Sequence, residues 1–478
     1  MSSTDAKPAA ALSRLSVMMF LQFFVWGSWF ATLGLAMGAE GFSLASIGGA
    51  YESAPIAAIF APLFLGLVAD RFFPSEKVFG VLMLVGGGLM CAVATIAPQG
   101  EESAGTMIWL LIAYMLCYMP TLGLGNSITF THLPQEQFPK ARVWGTIGWI
   151  ASGLALGAVG WSASLNMFWV AAVGTLLLGV YCFTLPHTPA PAKNQPLDLG
   201  SLLMFDAIKL LKNPPFFVFA VCSFLICIPL GYYYGQTGPY LGAAGFQEAA
   251  ATMTIGQMSE IIFMLMIPFF FRKLGVKMMI LIGMACWVLR YVLFAMGAPD
   301  QVAWMLLVGV ALHGICYDFF FVTGFIYTDK KAPAAVRGQA QSLLVFLTQG
   351  LGMFVGLRMA FGLNIPFTST PIPNSYGEYG VPSEDHGALV EQITTLRGEQ
   401  DKTFFERLLG MFDQGYPEGT DSALVESAMN GWQNYWYFPA GMAAVIMVIF
   451  AVAFWDKVQR DDVGTDEPIE APVENPPA

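Results

Sequence analysis

VAWMLLVGVALHGICYDFFFVTGFIY, residues 302–327, is apolar almost throughout, yet it carries His313 and Asp318 in its interior. About 20 apolar residues suffice for a helix to cross the hydrocarbon core of a bilayer. The stretch therefore reads as a membrane span with a carboxylate inside it. The whole chain agrees: of 478 residues, 56% are hydrophobic and 12% charged, with mean hydropathy +0.60. A soluble domain carries about 25% charged residues. The net charge of −11 excludes a nucleic-acid partner, because the acidic residues gather in segments between or beyond the apolar runs. The seven cysteines all fall inside apolar runs and form no C-x-x-C pair, so neither a disulfide framework nor a zinc site is indicated. No cofactor is expected.

Further apolar stretches flank this one. Six fall near 15–37, 45–68, 78–97, 107–128, 142–162 and 166–185. After the polar, Pro-containing PHTPAPAKNQPLDLG (186–200), six fall, with this one among them, near 215–240, 250–271, 276–297, 302–327, 338–361 and 434–455. The expected fold is an all-α integral membrane protein of twelve transmembrane helices in two six-helix bundles. Residues 1–190 form the first bundle, 191–212 a cytoplasmic linker, and 213–455 the second. Residues 363–432 are expected as an exterior insertion with one or two amphipathic helices, and 456–478 as a disordered acidic tail.

Charge orients the chain. Of its 22 lysines and arginines, Arg290 and Arg358 lie within spans, and Arg397, Lys402 and Arg407 lie in the long insertion. The rest lie on the side of the termini, and the positive-inside bias makes that side cytoplasmic. The N-terminal MSSTDAKPAAALSR has no short apolar core followed by a small-residue cleavage site, so it reads as a cytoplasmic tail. Two six-span halves joined by a linker suggest a transporter built from related repeats, with its site near the midplane.

Ionisable residues inside spans cost roughly 2.5–3.5 kcal/mol each on insertion scales, so they face a cavity or pair with another charge. At about 1.5 Å per residue, Glu260 lies about 15 Å into its span and His313 at similar depth, with Asp318 about 7 Å nearer the cytoplasm. Glu260 and Asp318 are the candidates for proton coupling, since a carboxylate in a dry cavity keeps its proton at neutral pH and releases it to water. A structural ion pair with Arg290 is the alternative. Gln257 lies one turn before Glu260 on the same face, where an amide and a carboxylate can bind hydroxyls or ring nitrogens. Arg142, Thr146 and Trp149, spaced i, i+4, i+7, form a second stripe of guanidinium, hydroxyl and ring. It is equally readable as a snorkelling arginine above ordinary packing. His313 is open to three roles: a titrating group, a neutral partner for a solute, or a packed side chain. Glu52 is either a second protonation site or the partner of Arg358.

GLVADRFFPSEKV (66–78) places Gly66, Asp70 and Arg71 at the cytoplasmic end of the second span. It resembles the G-x-x-x-D-R signature of the major facilitator superfamily, in which the acid–base pair latches neighbouring helix ends. The usual Gly-Arg-Lys continuation is replaced by PSEK, and the second half carries only the remnant FFFRKLGVK (269–277). LQFFVWGSWFATLG (21–34), YMPTLGLGNSITF (118–130), RVWGTIGW (142–149), IGQMSEIIFMLMIPFF (255–270), GICYDFFF (314–321) and NGWQNYWYFPAG (430–441) resemble, in order and spacing, one branch of that superfamily. That branch is the nucleoside:proton symporters. The resemblance implies that Arg142, Thr146, Trp149, Gln257, Glu260, His313 and Tyr317 face the substrate. It also shows departures. PLGYYYGQTGPY (229–240) puts Gly231 and Tyr234 where the family has a glutamine and an asparagine, with Gln236 as a substitute amide. His313 stands where a tyrosine is expected.

The expected function is import of nucleosides with protons by alternating access, by a monomer in the lipid of a bacterial inner membrane. The same fold carrying a sugar, a nucleobase or another polar solute is the alternative. An enzyme is not expected, for the spans hold no metal-ligand cluster and no nucleophile–base pair.

Overall fold

The computed structural model describes residues 3–64, 72–134, 137–190, 200, 204–333, 336–364, 385–398, 400 and 402–456. Among these, eight helices are long and apolar enough, by length and composition, to cross a membrane. Two of the eight fold back on themselves. Ser75–His132 turns through the 3-10 segment Ala97–Ser103, and Ala249–Gly297 turns at Gly275. Gly275 sits at φ 70°, ψ 175°, a left-handed backbone that favours glycine. With Phe138–Val159 and Met167–Cys182, the described helices are consistent with twelve spans.

The first span is Ser3–Phe30 continued by Leu33–Ala39, and the second is Leu44–Phe64. Ser75–Ile96, Ala104–His132, Phe138–Val159 and Met167–Cys182 are the third to sixth. Span 7 is Pro214–Ala243, N-capped by the Asn213 side chain, and spans 8 and 9 are the two arms of Ala249–Gly297. Span 10 runs from Ala303 to Lys331 with a π turn at Asp318–Val322, and span 11 from Arg337 to Ala360 with a π turn at Phe346–Gly352. Such turns recur at functional sites because they rotate side chains out of helical register. The twelfth span, Ser422–Ala453, begins about three turns before the expected residue 434. Asp421 caps it, and the helical spacing of Val425, Ala428, Met429 and Trp432 buries its early turns.

Gly66, Asp70 and Arg71 lie outside the described residues, as do residues 457–478 and much of the 191–212 linker. The end of that linker forms two short turns, Phe205–Ile208 and Lys209–Lys212.

Spans 1, 3, 5 and 6 pack together on one side, and spans 7, 9, 11 and 12 on the other. The halves meet along three seams: span 5 on span 8, span 2 on span 11, and Leu33–Ala39 on span 7. Small residues make the first seam close. A Cβ on Gly153 would stand 2.6 Å from Thr254 Cγ2 and 2.8 Å from the Ala250 carbonyl oxygen. In the second seam Arg358 Nη2 meets Glu52 Oε2 at 2.9 Å, so Glu52 is the ion-pair partner of Arg358.

The insertion covers one face of the bundle. Its helices are Asp385–Gly398 and Phe404–Gly410, the latter opened by a capping box of Thr403 and Glu406. His386, Leu389, Val390 and Ile393 of the first helix turn inward, where His386 Nδ1 accepts from the Trp432 indole at 3.2 Å. The Arg397 guanidinium donates to the carbonyls of Gly245, Phe246, Gln247 and Gly415 at 2.9–3.3 Å. Gln414 donates to the carbonyls of Ala244 and Gln301, and the Gln247 amide donates to Asp413. The insertion is thus stapled to the second half. Its hook into the first half is Arg407, whose Nη1 donates to the Val159 carbonyl at 2.9 Å, beside Met411 packed with Ala158 and Ala251.

Between the insertion and the helix ends lies a cavity of about 560 Å³, lined by Glu40, Ser162, Glu248, Arg397, Glu406 and Arg407 among others. Burial pushes the Glu248 carboxyl up to about 7, against the opposing pull of Ser162, Arg397 and Arg407.

Two outcomes follow. Hydrogen bonds to a charged group contribute about 1.5–3 kcal/mol. Arg397→Ala is therefore expected to speed amide exchange across 385–421 by roughly 10- to 100-fold relative to the spans, read by hydrogen–deuterium exchange. For Glu248 the proton is held more tightly in the folded protein than in the unfolded chain. Its contribution to stability is full below the unfolded value and is lost as pH rises through about 7. Glu248→Gln should match the parent's Tm near pH 5 and exceed it increasingly towards pH 8.

Candidate functional site

Span 5 brings Arg142, Thr146 and Trp149 to the seam with span 8. Thr146 Oγ1 donates to Glu260 Oε1 at 3.3 Å, a hydrogen bond that joins the two halves at the depth of the membrane interior. The Arg142 guanidinium lies 4.2 Å over the Phe23 ring, and its Nη1 has no acceptor among the described residues. Trp149 meets Trp26 edge-on at 5.4 Å. One turn before Glu260, Gln257 is buried with its Oε1 unpartnered among the described residues.

Span 10 faces this stripe across spans 7 and 8. Gly314 has no side chain, so the Ser259 hydroxyl of span 8 can accept from its amide at 3.0 Å. That close approach sets Gly314, one turn before Asp318, against the backbone of Glu260. Both Asp318 oxygens are buried and accept no hydrogen bond among the described residues. The expected alternative, an ion pair between Asp318 and Arg290, is not formed. All three Arg290 guanidinium nitrogens also lack an acceptor among the described residues. The Arg290 charge instead lies 4.1 Å over the Tyr233 ring, a cation–π contact that partly offsets its burial.

His313 stacks on the same Tyr233 ring. It lies 5.2 Å from Tyr233 at 14°, 6.1 Å from Tyr234 at 86°, and 5.9 Å from Tyr317. Its Nδ1 has no partner among the described residues. The column therefore runs from Arg290 through Tyr233 to His313, with Tyr234 and Tyr317 at its flank.

The structure gathers Arg142, Thr146, Trp149, Tyr234, Gln257, Glu260, His313, Tyr317 and Asp318 into one region. Thr146, Gln257, Glu260, His313 and Asp318 are buried, while Arg142, Trp149, Tyr234 and Tyr317 stay half-buried. Gly231 packs against the Gly356–Leu357 backbone of span 11, and Gln236 donates to the Ala360 carbonyl at 3.4 Å. Tyr233 and Trp26 were not among the sequence candidates, and Arg290 entered there only as a possible ion-pair partner of the carboxylates. The triplet YYY at 232–234 holds a clue, since 100° per residue sends its members three ways: Tyr232 to Tyr435, Tyr233 to Arg290, and Tyr234 to Phe30.

The family model for the nucleoside H+ symporters matches residues 10–378. This chain belongs to that family. It is 43% identical over 453 residues to the putative nucleoside transporter YegT of Escherichia coli, covering 92% of this chain and 93% of the relative. It is 33% identical to the nucleoside permease NupG of Escherichia coli, over 72% of this chain and 85% of that one. A crystal structure of NupG superposes with TM-score 0.70 at 27% identity, covering 94% of this chain and all of that one. The arrangement is the major facilitator fold, and the protein is a multi-pass membrane symporter of nucleosides and protons, not an enzyme.

The column separates scaffold from site. Tyr233→Leu removes the ring beneath Arg290 and is expected to cost about 2 kcal/mol and lower the Tm. Tyr234→Leu, half-buried beside it, should leave the Tm near the parent's but weaken nucleoside binding, both read on detergent-purified protein.

Proposed function

We propose that the nucleoside is held between span 5 of the first half and spans 7, 8 and 10 of the second, with Glu260 and Asp318 carrying the coupled proton. The observation that carries this reading is the Thr146–Glu260 hydrogen bond, because a solute entering the seam must compete for both partners. Arg142, Thr146, Gln257 and Glu260 offer donors and acceptors suited to ribose hydroxyls and base edges. Trp149, Tyr234 and Tyr317 offer ring faces for the base, and His313 offers a ring nitrogen. Asp318 supplies the other half of the cycle. With no donor within reach among the described residues it is best accommodated protonated, and it gives up the proton when alternating access exposes it to water. Gly66, Asp70 and Arg71 would latch the cytoplasmic ends of the halves.

The carrier works as a monomer in a bacterial inner membrane, with both termini cytoplasmic and the insertion outside. The crowding of lysine and arginine on the terminal side supports that orientation. A second reading, a sugar or free nucleobase as solute, draws on span 7, where Gly231 is packed away and a tyrosine replaces the amide.

Uptake of labelled purine and pyrimidine nucleosides into proteoliposomes tests the proposal. An inward proton gradient should drive accumulation in the parent. Asp318→Asn and Glu260→Gln should abolish it, with nucleoside binding retained at least for Asp318→Asn. Accumulation by both variants equal to the parent's would remove the coupling role. Competition by sugars or nucleobases exceeding that by nucleosides would favour the second reading.

A further inference from the structure

The matched family region ends at residue 378, and the helix Phe404–Gly410 lies beyond it. That helix is built the wrong way round for a protein surface in water. Phe404, Phe405, Leu408 and Leu409 recur at i, i+1, i+4 and i+5 and share one face, while Glu406 and Arg407 occupy the other. Phe405 is 71% exposed and Leu409 84%, and Phe404, Leu408 and Phe412 are exposed as well. Exposure of this size matches the lipid-facing residues of the spans, such as Leu265 at 76%.

Its position says what covers it. Arg407, on the polar face, is bonded to the Val159 carbonyl at the last turn of span 5, where Gly160 at φ 72° ends the helix. The apolar face is therefore held at the height where a span leaves the hydrocarbon. Exposed Trp109, Trp169 and Trp304 lie near the starts of spans 4, 6 and 10 on this same side of the bundle. Tryptophans gather at the membrane–water boundary. The exposed face is thus continuous with the apolar belt of the spans.

We propose that Phe404–Gly410 is an interfacial anchor, with Phe404, Phe405, Leu408 and Leu409 seated in the lipid of the adjacent leaflet. Amphipathic helices of this kind bury their apolar face about 5–10 Å into the boundary between headgroups and acyl chains. The insertion is then held at three places: stapled to the second half by Arg397, hooked to the first by Arg407, and resting on lipid through this helix.

The test places a nitroxide at Leu409→Cys, and separately at Phe405→Cys, in the full chain in phosphatidylethanolamine–phosphatidylglycerol vesicles. Labelled parent gives the background of the native cysteines, and Glu418→Cys, on the exposed turn after the helix, serves as the aqueous control. Collision with dissolved oxygen should dominate at 405 and 409, and collision with a water-soluble nickel chelate at 418. Nickel access at 405 and 409 equal to that at 418 would overturn the anchor. So would oxygen-dominated signals accompanied by label–label coupling that disappears on dilution with lipid, since a second copy would then be the partner.

Discussion

In hydrocarbon a polar group has no water to turn to, and each one left over must be satisfied by the protein or given a use. The hydrogen bond from Thr146 to Glu260 is where this constraint meets the architecture most directly. It lies on the seam between halves that must separate during transport, and it ties a carboxylate of one half to a hydroxyl of the other. Small residues such as Gly153 let spans 5 and 8 come close enough for so short a side chain as threonine to reach.

Charges elsewhere in the second half show what satisfaction looks like when no movement is required. Lys277 donates to the carbonyls of Ala451 and Phe454, and Lys331 pairs with Asp456 at 2.8 Å, which closes the end of the second half. Arg290, His313, Gln257 and Asp318 are different, for each is buried with at least one polar atom lacking a partner among the described residues. Removing both members of a buried polar pair often leaves stability unchanged, whereas an unpartnered group costs its full desolvation. Gln257 and Asp318 flank Glu260 most closely, Gln257 one turn before it on span 8 and Asp318 one turn after Gly314, which packs on the Glu260 backbone.

The insertion answers a different demand. The helix ends on its face leave free carbonyls at 244–247, and Arg397 and Gln414 donate to them in one cluster. This makes the insertion part of the second half in energetic terms, although it touches span 5 through Arg407. Among the described residues its polar contact with the other half is the bond from Arg407 to the Val159 carbonyl, with the half-buried Glu248 alongside.

Much of this was legible in the sequence, because lipid makes hydropathy an unusually direct signal of fold. Runs of about 20 apolar residues mark spans without any knowledge of their partners, and intramembrane Glu260, His313 and Asp318 announce themselves by their cost. Helical spacing also put Arg142, Thr146 and Trp149 on one stripe. Period alone does not say which neighbour a stripe meets. That Gly314, one turn before Asp318, packs on Ser259 and Glu260 while Arg290 turns to Tyr233 depends on how spans 8, 9 and 10 are rotated against one another. Rotation is set by close contacts such as Gly314 on Ser259 and by the π turn at Asp318. The early start of the last span, at Ser422, likewise needed tertiary burial of Val425 and Met429 to extend a helix through polar residues. The sequence by itself determined that the chain spans a membrane and which charges it holds there. Only the tertiary structure decided which of them are partnered, because partnership depends on side-chain direction across helices far apart in the chain.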